Sequence, residues 1–96
     1  MKPDAVIKVR FKTPWQKGRQ GAVVGEVYGC PLFVDGEAFD CRIYLEGKTL
    51  DLGKTCEVGV KFLNPQLALP QLSPGKSIYL WEGREIATGK VVRLGA

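Results

Sequence analysis

Twelve glycines and six prolines break the 96-residue sequence every few positions. No stretch of about 11 or more residues between them keeps a helical period. The runs that remain are short and rich in Val, Ile, Phe, Tyr, Leu and Thr, a composition that fits the pleated surface of a sheet. In residues 5–12, Ala5, Ile7, Val9 and Phe11 alternate with Val6, Lys8, Arg10 and Lys12. That period of two predicts a strand with one apolar and one largely basic face. Residues 37–46 repeat it, with Phe39, Cys41, Ile43 and Leu45 set against Asp40, Arg42, Tyr44 and Glu46. So do residues 54–63, with Cys56, Val58, Val60 and Phe62 inward. Residues 22–28 read as extended, Gly29-Cys30-Pro31 as a turn, residues 32–34 as a short strand, and Asp35-Gly36 as a turn. Ile78 and Leu80 continue the inward series before a final turn, and Val91 and Val92 follow it.

These are about six or seven short strands without a helix, expected in one domain spanning residues 1–96. A strand set of this kind must hide its edges, so the expected fold is all-β: a closed antiparallel barrel, with a β-sandwich as the competing layout. Residues 64–75 stand apart. Three prolines there exclude a regular central strand, and Leu67, Leu69 and Leu72 make the segment too apolar for a plain linker. It is either a lid over one barrel mouth or a protein-contact loop.

The sequence contains no histidine, which removes the usual general base and a common metal ligand. Its three cysteines, Cys30, Cys41 and Cys56, are odd in number and contain no CxxC, so neither a disulfide framework nor a zinc site is expected. Cys41 and Cys56 fall on apolar strand faces and read as small buried hydrophobes, whereas Cys30 is expected in an exposed turn. Asp35, Glu37 and Asp40 lie close in sequence, but Glu37 and Asp40 have opposite strand phase, so no acid–base pair emerges. Neither an enzyme nor a cofactor or metal is expected. No apolar run approaches the ~20 residues of a membrane helix, and the MKPD start lacks a signal-peptide core. The expected location is the cytoplasm.

The net charge of +4 is unevenly spread. Residues 1–21 carry six bases and one acid, residues 22–57 three bases and seven acids, and residues 58–96 five bases and two acids. If the end strands are neighbours, the molecule has a basic side and an acidic side.

The last part of the chain resembles a known family. VKFLNP at residues 60–65, then IYLWEGREIATGKVV at residues 78–92 and an RLGA tail, are similar to the C-terminal β-barrel of elongation factor Tu. That barrel ends in a strand, an Arg-Glu-Gly-Gly-Arg type of turn, a Gly-Ala-Gly-Val-Val type of strand and a Leu-Gly tail. Leu52-Gly53 before Val58, Gly18-Arg19, and residues 29–33 extend the likeness upstream. The resemblance implies a six-stranded antiparallel Greek-key barrel, the third domain of such a factor without its GTPase part. No G-x-x-x-x-G-K-[ST] loop is present, so no nucleotide binding by this chain alone is expected. In the family, the terminal hairpin and adjoining glycines approach the T-stem of aminoacyl-tRNA. The matching positions are Glu82, Gly83, Arg84, Thr88 and Gly89. Here residues 64–75 are longer than the family's connection, and Cys30-Pro31 replaces its arginine.

Two binding functions are therefore expected. One is docking on a protein partner, for example a translation factor, as a module or as a small immunity or inhibitor protein. It would use the hairpin around Trp81 and the contact loop of Leu67, Leu69 and Leu72. The other is binding tRNA or another RNA. Lys17, Arg19, Arg84, Lys90 and Arg93 would meet phosphates, and Trp15 or Trp81 would supply an apolar or stacking contact.

Overall fold

A computed structural model of the chain describes residues 2–95. The six strands are β1 (Ala5–Phe11), β2 (Val27–Val34), β3 (Glu37–Tyr44), β4 (Thr55–Phe62), β5 (Ser77–Trp81) and β6 (Glu85–Leu94). They close into a barrel in the order β1-β4-β3-β2-β5-β6, with every neighbouring pair antiparallel. Strands β2, β3 and β4 are successive neighbours, and β1 lies beside β4 after a long connection, which is Greek-key order. The chain crosses one end of the barrel through residues 12–26 and the other through residues 63–76.

The alternation read from the sequence points into the barrel. Ile7, Val9, Phe11, Leu32, Val34, Ile43, Leu45, Val58, Val60, Ile78, Leu80, Ile86 and Val91 share one buried core. At Asp35-Gly36 both residues have positive φ, 50° and 79°, as a two-residue hairpin turn of type I′ requires. Where β1 meets β6 the backbones approach so closely that a Cβ on Gly89 would lie 2.1 Å from the Lys8 carbonyl oxygen. Only glycine lets the barrel close there. A register shift between Leu80 and Trp81 interrupts the β5–β6 pairing, and in that stretch of β6 the consecutive residues Ile86 and Ala87 are both buried.

Three expectations change. Residues 29–31 are not a turn but the middle of β2, where Cys30 faces Cys41 and Pro31 faces Asp40. The ladder from β2 to β5 covers only Leu32 and Phe33, so Pro31 sits beyond its end, where a strand tolerates a residue without an N–H. Cys30 is consequently buried rather than exposed, and Cys56 is half-buried. Of residues 22–26, Val23 pairs in an isolated bridge to Leu50, and the Glu26 carbonyl accepts the Leu45 N–H at 3.0 Å.

The segment after β4 is helical. Its four-residue helix α1 (Pro65–Ala68) opens on a proline, which needs no N–H partner at that position, and a 3-10 turn over Leu69–Gln71 follows. Ala68 and Leu72 are buried, and Leu69 packs against the core from the side. The segment is therefore a lid over the barrel mouth. Leu72 is buried in it and Leu69 half-buried, while Leu67 is 59% exposed.

Candidate functional site

The opposite end of the barrel buries Val23, Leu45 and Leu50 and adds a set of polar contacts. Thr13 and Pro14 turn the chain out of β1 into a 3-10 turn over Pro14–Gln16. The Thr13 N–H donates to Gln16 Oε1 at 3.0 Å, and the Gln16 and Gly18 N–H groups donate to the Thr13 carbonyl at 2.9 and 3.0 Å. Gly18 is buried, and a Cβ there would lie 2.2 Å from the Lys12 carbonyl oxygen. The turn is thus held tightly, yet it carries Trp15, which is 97% exposed. Val24 and Val27 are further exposed apolar residues of this connection and its end.

Arg19 ties the connection to the terminal hairpin. Its Nη1 donates to Glu82 Oε1 at 2.8 Å and to the Tyr28 hydroxyl oxygen at 3.2 Å, and its guanidinium lies 5.1 Å from the Tyr28 ring centre. The Tyr28 hydroxyl in turn donates to Glu82, and its ring meets Phe11 edge-on at 6.3 Å. Burial, and then the hydrogen bond to Glu82, push the Tyr28 hydroxyl pKa far above its usual value. Lys12 pairs with Glu85 on the same hairpin. On the other side, Arg10 Nε donates to the Gly53 carbonyl at 2.9 Å, and the Gly53 N–H donates to Phe11 at 2.7 Å.

The residues expected to bind a macromolecule fall into two groups. Lys17, Arg19, Trp81, Glu82, Gly83 and Arg84 gather at this end. Arg19 and Glu82 are occupied with each other, whereas Arg84 is exposed and forms no salt bridge among the described residues. Thr88, Gly89, Lys90 and Arg93 lie along β6 on the barrel's side. Thr88, Lys90 and Arg93 are exposed there, while Gly89 is half-buried and pairs with Val9. The basic side expected from neighbouring end strands exists: Lys8 faces Lys90 and Arg10 faces Thr88 across β1 and β6.

Sequence reasoning missed one feature of the outer surface. Phe33 on β2 and Tyr79 on β5 are cross-strand partners whose rings stack at 4.8 Å with planes 7° apart, and Trp81 adjoins Phe33 at 5.7 Å. The signal was present, because Leu32 and Val34 point inward and force Phe33 outward, as Ile78 and Leu80 force out Tyr79 and Trp81. That β2 and β5 are neighbours was not.

Asp35 pairs with Lys76 at 2.6 Å, and no three His, Cys, Asp or Glu side chains among the described residues converge as a metal cluster would. Cys41 donates a weak hydrogen bond to the Cys30 carbonyl at 3.3 Å. Contact with the Cys30 side chain, and then burial, raise its thiol pKa well above the usual range, so the inert protonated form prevails. No helix among the described residues is long and apolar enough to cross a membrane. Neither a protein-family model nor a curated protein matches the chain. A closed six-stranded barrel does not by itself identify the elongation factor Tu family.

Proposed function

We propose that this chain is a non-catalytic docking module that binds a folded protein through the barrel end formed by residues 12–26 and the β5–β6 turn. One observation carries the reading: Trp15 is almost wholly exposed on a turn that is itself immobilised. A tryptophan presents roughly 150–250 Å² of surface. At ~25 cal/mol per Å², moving it into a partner's pocket is worth about 4–6 kcal/mol before ordering costs. The stiff mount keeps those costs low, because little backbone freedom remains to be lost. Lys17 and Arg84 supply charged groups at the same end, suited to the polar rim of such an interface. The resemblance of residues 58–95 to the third barrel of elongation factor Tu supports a partner among translation proteins, met in the cytoplasm.

Affinity purification from cells that produce the tagged chain tests this, with nuclease added to one half of each lysate. The expected result is a protein partner that survives nuclease, is lost with Trp15→Ala and is retained with Leu67→Asp. Equal recovery with Trp15→Ala would remove this end of the barrel as the interface. Recovery abolished by nuclease would replace the protein with RNA.

A further inference from the structure

The side of the barrel carries a second arrangement. Reading across neighbouring strands, one row runs Phe33, Tyr79, Thr88, Arg10, Thr55 over β2, β5, β6, β1 and β4. The next row runs Ser77, Lys90, Lys8, Glu57. Aromatic rings thus give way, strand by strand, to hydroxyls and then to cations on β6 and β1, with Thr55 and Glu57 beyond them on β4.

Two features of these rows call for a ligand. Lys8 and Lys90 are directly opposite each other, an arrangement of like charges that destabilises a sheet. Neither forms a salt bridge among the described residues, although Glu57 faces Lys8 from β4. Around them lies a hollow of about 200 Å³ lined by Lys8, Arg10, Thr55, Thr88, Gly89 and Lys90, with no acid in its walls. Beside this hollow, one face of the half-buried Tyr79 ring is stacked on Phe33. The other face is turned toward β6, where the opposing residue is the small, exposed Thr88.

We propose that this face binds single-stranded nucleic acid, with a base continuing the Phe33–Tyr79 stack above Thr88 and the adjoining phosphate held between Lys8 and Lys90. Thr88 and Lys90 are two residues apart on β6, about 6.6 Å, comparable to the step from a base to its phosphate. A duplex does not serve, since its base faces are covered by their own neighbours, whereas an unpaired strand offers both stacking faces and phosphates. An acidic peptide would satisfy the lysines and leave the ring face unused. The site is independent of docking through Trp15.

Fluorescence anisotropy of end-labelled oligo(U) and oligo(dT) of about ten nucleotides tests the proposal on the full chain at ~50 mM salt. Binding of either probe is expected, with affinity falling as salt rises. In the double variant Lys8→Gln, Lys90→Gln the slope of log affinity against log salt falls by about 0.7, for the one phosphate the pair neutralises. Tyr79→Ala weakens binding about 5- to 150-fold. Thr88→Leu, which keeps the ring stack but fills the space above it, weakens binding roughly tenfold. Trp15→Ala binds as the unaltered chain does. Absence of binding at this salt would overturn the proposal. So would an unchanged salt slope in the lysine variant, or a poly-glutamate of equal charge that binds as tightly.

Discussion

The two ends of the barrel do the same topological work with different chemistry. At the end crossed by residues 63–76, the chain plugs the mouth with Ala68 and Leu72, both buried, and with the flank of Leu69. At the end crossed by residues 12–26, Val23 also enters the core beside Leu50, but the crossing is fastened as well by Arg19 to Glu82, by Lys12 to Glu85 and by backbone hydrogen bonds around Thr13. The apolar connection leaves Leu63 and Leu67 outside. A connection fastened by polar contacts can turn a tryptophan outward without losing its own shape. The difference shows why a leucine-rich, proline-rich segment turned out to be structure, while the 3-10 turn over Pro14–Gln16 carries an exposed tryptophan.

The contrast is open to direct attack. Ala68→Asp would bury a charge in the lid, where the native side chain is fully buried. A loss of more than ~4 kcal/mol is expected, enough to abolish the cooperative thermal transition. Leu72→Ala, which only hollows the plug, should cost about 2–4 kcal/mol in denaturant unfolding. Leu67→Ala on the same segment stays within ~0.5 kcal/mol because that side chain is outside.

At the polar end the effects are smaller and depend on pH. The folded chain holds the Tyr28 proton more tightly than the unfolded chain, whose tyrosines titrate near pH 10. Stability from this group is therefore intact below pH ~10 and declines as the pH rises further. Alkaline unfolding curves should show that decline, and Tyr28→Phe should flatten it. Arg19→Ala removes a partly exposed ion pair and a ring contact, so about 0.5–1 kcal/mol is expected, with faster amide exchange in residues 12–26. Trp15→Ala should change stability by less than ~0.5 kcal/mol while removing a strongly water-quenchable component of the tryptophan emission. A large loss of stability from this last variant would mean that the anchor is part of the fold.

The inward series Ile7-Val9-Phe11, Cys41-Ile43-Leu45 and Val58-Val60-Phe62 was legible because a period of two admits only one assignment of faces once a core exists. The turn at Asp35-Gly36 was legible because so few residue pairs accept two positive φ values. Residues 29–31 were misread as a turn, since Gly-Cys-Pro has turn composition. What makes the segment a strand is its long pairing with β3, a contact between residues 11 positions apart at Cys30 and Cys41. The lid was legible as an alternative, but which leucines it consumes depends on the rotation of α1 over the mouth.

The sequence by itself determined which side chains turn inward, where most strands break, and that no histidine-based chemistry is available, because these follow from local spacing and composition. Only the tertiary structure decided which strands are neighbours. That choice stacks Phe33 on Tyr79, sets Lys8 against Lys90 and locks Arg19 to Glu82, 63 positions away. Such pairings are set by barrel closure, where each strand's partner depends on the positions of all the others, and local alternation carries no record of that choice.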